Sequence, residues 1–249
     1  MSHAALSPSS AYRWLNCSAS VTVAPLTEPR SSKYAREGSF AHFVAEKILR
    51  DELFFEPTLQ HFDGEKHVIT PQLIEQLKPY TDLARGVMRN PTAQCVIEQK
   101  VVVPGTKDRV YGTADFAAWG AIGGVLTIMD LKFGTGVRVD PDTPQTALYA
   151  LGAAAHFGAD SDDLTVERVI VQPRGNDGLN PYRTAMGTLG ELREWLEDQV
   201  HPAISHIDAG SEEENPGPWC RFCPRKPECG TLKRASVMKA FNDHMTVHF

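Results

Sequence analysis

Asp130-Leu131-Lys132 sets a carboxylate and an ammonium two residues apart, and Asp115 precedes them at the end of Gly112-Thr113-Ala114-Asp115. On a strand, side chains i and i+2 share a face, so Asp130 and Lys132 project together while Leu131 turns into the core. Asp115 lies on the neighbouring strand of the same hairpin. Two carboxylates converging from adjacent strands can bind a hard divalent ion through oxygen. The ammonium can then orient a water or hydroxide for attack on phosphorus, while the ion lowers the water's pKa and neutralises charge on the phosphate. Alone, an Asp-x-Lys triplet arises about once by chance in a chain of ordinary composition. It is then usually a surface ion pair worth about 0–1 kcal/mol. Context separates this one: Val125-Leu126-Thr127-Ile128-Met129 reads as a strand buried on both faces, with the charged pair at its end.

Other residues fall in order around this pair. His42 is expected on a helix, with Glu46 one turn on and able to orient the imidazole. Phe133-Gly134-Thr135-Gly136 follows Lys132. It is either a plain turn or a loop whose backbone N–H groups approach a phosphate. Gln145 and Tyr149 stand at i and i+4 on one helix, placed either to position a nucleophile and contact a DNA backbone or simply as a polar edge.

A second constellation lies near the C-terminus. Cys220, Cys223 and Cys229 fall within ten residues of one another, after a Pro- and Glu-rich linker over 211–219. Five cysteines is an odd number, which favours metal ligation over a disulfide framework. A tetrahedral site needs a fourth ligand. Cys17 and Cys95 are the candidates, with His244 and His248 as outsiders, and thiolates suit zinc and iron–sulfur clusters alike.

The elements that must hold these residues can be read from local signals. Ser7-Pro8, Thr70-Pro71 and Thr143-Pro144 each set a capping hydroxyl before a proline at the first helical position. Helices are expected from Ser7 to about Leu15, 38–50, 71–89, Pro144 to about His156, and 188–208. Strands are expected over 94–103, 109–119, 124–132 and 165–172. Residues 21–37 read as a loop, 51–70 carry no clear pattern, and 173–187 read as loop or plain surface. The order helix, three strands, helix, strand predicts an α/β fold with a small mixed β-sheet flanked by helices.

Composition narrows the function classes. The chain has 249 residues, 42% of them hydrophobic and 22% charged, and carries a formal charge of −6. An acidic balance argues against a protein that coats nucleic acid through a broad basic face, though not against an enzyme of nucleic acid with local basic groups. The sequence holds no spanning apolar run, and its start lacks the basic and apolar regions of a secretory signal, so no membrane association and a cytoplasmic location are expected.

The series His42, Gly112-x-x-Asp115, Asp130-x-Lys132, Gln145-x-x-x-Tyr149 resembles the PD-(D/E)XK nuclease superfamily, specifically its RecB-like branch. The resemblance runs from about Ser7 to Cys229 and is nearest to phage-encoded exonucleases and CRISPR-associated nucleases of that branch. It implies a restriction-endonuclease-like core in a single domain over 1–249. Asp115, Asp130 and Lys132 would form the catalytic centre, with Mg²⁺ or Mn²⁺ held by His42, Asp115, Asp130 and the backbone carbonyl of Leu131. That third motif commonly carries Glu where this chain has Asp130. Glu98, on the preceding strand, is a candidate for a second metal, the alternative being a solvated pair with Lys100.

One upstream cysteine plus Cys-x₂-Cys-x₅-Cys resembles the iron–sulfur staple of the same branch. That implies a 4Fe–4S cluster on Cys17, Cys220, Cys223 and Cys229, with zinc as the alternative and cluster-binding elements at about 7–20 and 216–232. Cys95 is left as a small buried hydrophobe. The implied function is a DNA exonuclease for recombination, repair or end processing, working in the cytoplasm (the host's, if phage-encoded). Its partners would be DNA with single-stranded regions or free ends, further copies of the chain, and a single-strand-binding or recombination protein. The alternative is a non-catalytic DNA-binding or recombination-assembly factor on the same fold.

Overall fold

A computed structural model describes residues 5–24, 33–52, 58–120, 123–135, 138–175 and 180–245. A five-stranded mixed sheet, its strands neighbouring one another in chain order, organises it. Strands β3 (Gln94–Val102), β4 (Tyr111–Trp119) and β5 (Leu126–Leu131) form an antiparallel meander. Helix α5 (Pro144–Phe157) crosses over to β6 (Thr165–Val171), which lies parallel to β5, and β7 (Tyr182–Thr188) closes the far edge antiparallel. Strand β5 is buried along its whole length. Its residues alternate between two cores: Leu126 and Ile128 face α5, whereas Met129 and Leu131 face α3 (Lys33–Leu49) and α4 (Pro71–Met88). The unbroken apolar run is the signature of that double burial.

Two of the three hydroxyl–proline starts cap as expected. Thr70 accepts from the Leu73 N–H at 3.2 Å, and Thr143 from the Thr146 N–H at 3.4 Å. Ser7 makes no cap. Its hydroxyl bonds those of Ser9 and Ser10, and its carbonyl takes the Trp14 indole N–H at 3.0 Å. The result is a short 3₁₀ turn over Pro8–Ser10 leading into α1 (Ala11–Trp14) and then α2 (Ala19–Thr22).

The structure departs from the expected elements in several further places. Helix α3 starts five residues earlier than 38. Residues 51–70 include a hairpin, β1 (Thr58–Phe62) and β2 (Glu65–Ile69), joined at Asp63-Gly64, both at positive φ. Residues expected as loop or surface within 173–187 supply β7. The single helix expected over 188–208 is three segments: α6 (Leu189–Trp195), a π-helical turn (Leu196–Val200) and α7 (His201–Asp208). Pro202 explains the break, because it has no N–H for an i−4 bond and a wider turn absorbs the fault.

The C-terminal segment runs through a 3₁₀ turn (Pro218–Phe222) into α8 (Gly230–Met245). Among the described residues, no helix is long and apolar enough to cross a membrane. The side chain of His244, and Gly136 and His248, lie outside the described residues.

Candidate metal centre and cysteine pocket

Antiparallel pairing between β4 and β5 runs from Trp119↔Leu126 to Phe116↔Met129 and stops there. The next residues in register are Asp115 and Asp130. Both are buried, at 7% and 2% exposure. Where the ladder ends, the Asp115 carboxylate takes over: its Oδ2 accepts the Leu131 N–H at 2.7 Å. Its Oδ1 lies 3.3 Å from His42 Nδ1, which reaches in from α3, and Glu98 Oε1 lies 3.5 Å from the same nitrogen. Ligand atoms of His42, Glu98 and Asp115 sit within 4.8 Å of one another, the only such set among the described residues.

Asp130 belongs to a second, adjoining ring. Lys132 Nζ lies 2.7 Å from its Oδ2 and donates to Gln145 Oε1 at 3.1 Å, while Gln145 Nε2 donates to Asp130 Oδ1 at 2.9 Å. Asp130 and Lys132 therefore do share a face, as strand alternation requires. The structure brings Glu98, rather than Asp130, into the tight set with His42 and Asp115.

The charges explain one another. Burial pulls the His42 imidazole down, but the Asp115 and Glu98 carboxylates outweigh it and hold it well above its ordinary value. Burial pushes Asp115 up, and His42, Lys132 and the Leu131 N–H reverse this to leave it lowered. Asp130 and Glu98 are both raised, chiefly by burial, with the charge of Asp115 adding to each. Burial would lower Lys132, yet Asp130 and Asp115 hold it raised. Buried carboxylates crowd this pocket, and a divalent cation would relieve their mutual repulsion.

Two expectations are corrected here. Glu46 does not orient His42; its Oε1 accepts from Arg50 Nε at 2.9 Å, because Arg50, one turn further on, offers a full positive charge. Lys100 does not pair with Glu98 but stacks over the Tyr111 ring at 4.2 Å. Tyr149 is 6% exposed in the α5 core, its ring against Gly112, and burial with the nearby Asp115 and Asp130 charges raises its phenol strongly, with Gln145 opposing. Gly112 matters for that packing. A Cβ there would stand 2.9 Å from Pro8 Cδ and 3.1 Å from Tyr149 Cε1, so the N-terminal turn rests directly on the strand that carries Asp115.

Cys17, Cys220, Cys223 and Cys229 all line one cavity between α1–α2 and the C-terminal segment. Backbone N–H groups point at two of the sulfurs: Gly217 donates to Cys220 Sγ and Leu232 to Cys229 Sγ, each at 3.4 Å. Cys17 Sγ donates to the Glu213 carbonyl at 3.6 Å. Cys95 is elsewhere, on β3 against the α3–α4 core, and burial raises its thiol.

Neighbours do the clasping. Asn215 Nδ2 donates to the Asn16 carbonyl at 3.0 Å, and Arg225 Nη1 to the Ala19 carbonyl at 3.1 Å. The Thr22 hydroxyl donates to the Ser211 carbonyl at 2.8 Å, and Tyr12 packs edge-on against Trp219. A family model described as "Protein of unknown function (DUF2800)" matches residues 3–247.

Proposed function

We propose that this chain, which belongs to the DUF2800 family, is a Mg²⁺- or Mn²⁺-dependent DNA nuclease, an exonuclease of recombination, repair or end processing. The observation that carries this reading is the meeting of His42, Glu98 and Asp115 from α3, β3 and β4 beside the Asp130–Lys132–Gln145 ring. The strand order supports it: an antiparallel meander, a helical crossover and a parallel β6 are in keeping with a restriction-endonuclease-like core.

The donors fit a hard divalent ion, since one imidazole and buried carboxylate oxygens suit Mn²⁺ and Mg²⁺. Such an ion, when bound, supplies Lewis-acid activation of a water and neutralises charge on the phosphate. The chain's own groups do the rest. Leu131 N–H fixes Asp115 Oδ2 and leaves Oδ1 facing His42 and Glu98. His42 Nδ1 faces both carboxylate oxygens, and a proton carried there must leave before the nitrogen can act as a ligand. Lys132 has three donors. Gln145 takes one and Asp130 holds the ammonium by charge, which leaves a donor for a water or a phosphate oxygen. Gln145 bridges the pair, so the ammonium cannot rotate freely.

The cysteine pocket fits a thiolate-bound 4Fe–4S cluster held by Cys17, Cys220, Cys223 and Cys229. Around one zinc, with Zn–S near 2.3 Å, tetrahedral sulfurs would lie about 3.8 Å apart. These four thiols share one cavity, which suits zinc or a polynuclear cluster, and the N–H donors to sulfur are of the kind that tune a cluster.

End-labelled single- and double-stranded DNA, incubated with Mn²⁺ and protein purified without air, tests the reading. Digestion by the native chain, lost in Lys132→Ala and Asp130→Ala, is expected. Retention of DNA without hydrolysis would favour the non-catalytic binding factor, and equal digestion by all three proteins would sink the enzyme reading.

A further inference from the structure

Glu98 sits in the middle of β3 yet does not follow its strand. The ladder with β4 pairs Ile97↔Phe116 and Gln99↔Ala114, which sets Glu98 opposite Asp115 with no slip in register. No residue is inserted there, so a bulge does not account for the distortion. Nevertheless Glu98 has φ +47°, in the left-handed region that a residue bearing a Cβ adopts only at a cost. Such conformations persist where surroundings impose them, and they gather at functional sites.

What imposes this one is visible at the preceding peptide. Arg50, just past the end of α3, donates from Nη2 to the Ile97 carbonyl at 2.8 Å and from Nε to Glu46 Oε1 at 2.9 Å. The Ile97 carbonyl belongs to the same peptide plane as the Glu98 N–H, and φ of Glu98 is measured from that plane. Anchoring the carbonyl therefore fixes the plane. Glu46 in turn anchors the guanidinium one turn back on its own helix. That helix also carries His42, so the Arg50 bridge sets the distance between a ligand on α3 and a ligand on β3.

We propose that Arg50 is a positioning residue for the metal centre: by tying the Ile97 carbonyl to α3 it holds Glu98 in the left-handed conformation that turns its carboxylate to His42 and Asp115. The planar fork of a guanidinium reaches both Glu46 and the carbonyl, which a single ammonium does not. This inference rests on the reading of His42, Glu98 and Asp115 as a cation site.

Mn²⁺ binding, followed by calorimetry or by the electron paramagnetic resonance of the free ion, tests it without any nuclease assay. Arg50→Met and Arg50→Lys are each expected to weaken Mn²⁺ binding about 10–100-fold, the range for groups that orient a ligand. Glu98→Gly should weaken it at least as much, while raising the melting temperature because glycine accepts positive φ. In the Glu98→Gly background, Arg50→Met should cost nothing further, since the two act through one carboxylate. Should Arg50→Met fail to fold, Glu46→Gln, which only loosens the anchor, should still lower the affinity severalfold. Native-like affinity in the folded Arg50 variants, or losses that multiply in the double variant, would overturn the positioning role. Absence of Mn²⁺ binding by the native chain, by contrast, would remove the cation site itself.

Discussion

In the acidic centre the buried ionic side chains hold one another, whereas in the cysteine pocket the neighbours of the thiols do the holding. Asp115, His42 and Glu98 form one contact set, and Asp130, Lys132 and Gln145 form the next, all supported by the sheet and the helices on its two faces. The cysteines make only weak bonds to backbone groups. Asn215, Arg225, Thr22 and Tyr12 dock the C-terminal segment on α1 and α2. The difference follows from chemistry. A buried charge must be paired or it destabilises the fold, so ionic groups organise their own surroundings. A neutral thiol is a weak donor and acceptor, so it has to be placed by others.

The sharpest way to break this comparison is to remove a member of the self-supporting set. Lys132→Ala should lower DNA hydrolysis about 10²–10⁴-fold, the usual worth of a group handling a proton or water in the transition state. It should also lower the melting temperature, because Asp130 loses its cation at a buried position. Full activity with an unchanged melt would refute the linkage between the two rings.

Removing one thiol tests the other region. Cys220→Ser should abolish an absorption band near 400 nm and weaken nuclease activity, whereas Cys95→Ser should leave both intact. Cys17 and Cys220 are about 200 positions apart. A cluster joining them limits the unfolded chain by an amount on the order of 5 kcal/mol, by the argument used for disulfides. Urea unfolding of the two variants would show whether the pocket bears that load. A loss well under 1 kcal/mol in Cys220→Ser would mean that the surrounding hydrogen bonds suffice.

Gly112→Ala addresses the seam between the regions, where Pro8 of the N-terminal turn meets Tyr149 over β4. Crowding of this kind costs about 1–3 kcal/mol in a packed core. Equilibrium unfolding should register it, and a neutral result would show that the turn yields.

The smallest effect concerns the clasp. Glu214 accepts from Arg225 at 2.9 Å and from the Thr231 N–H at 3.4 Å, and its bonds to Thr231, with help from Arg225, hold its carboxyl below the ordinary range against the opposing effect of burial. A lowered carboxyl stabilises the fold above its unfolded pKa and loses that contribution as pH falls through its folded value. Glu214→Gln should therefore lower the melting temperature by about 1–3 °C at pH 7, and less in acid. A difference that grew in acid would carry the wrong sign.

Much of this was legible in particular residues. The apolar run before Asp130 announced a doubly buried strand, and Thr70-Pro71 and Thr143-Pro144 announced two helix starts. Asp63-Gly64 is a good hairpin signal inside a stretch that otherwise shows no pattern, and both residues have the positive φ such turns need. Pro202 likewise marks the break in the final helices. Strand β7 was hidden because Tyr182–Thr188 lacks alternation and carries Gly187. Tyr149 shares a helix face with Gln145, as its spacing says, but α5 is buried from Thr146 to Ala154, so spacing alone did not reveal its burial.

The sequence by itself determined which groups had to meet. Strand alternation put Asp130 beside Lys132, the hairpin put Asp115 opposite, and the spacing of Cys220, Cys223 and Cys229 marked out a thiol-bearing tail. Only the tertiary structure decided how the acidic groups divide, with Glu98 joining His42 and Asp115 while Asp130 turns to Lys132 and Gln145. That choice depends on a left-handed backbone at Glu98 and on an arginine 48 positions earlier. Local preference at a glutamate opposes such a conformation, so no local pattern can announce it; it exists because the packing of α3 against β3 outweighs that preference.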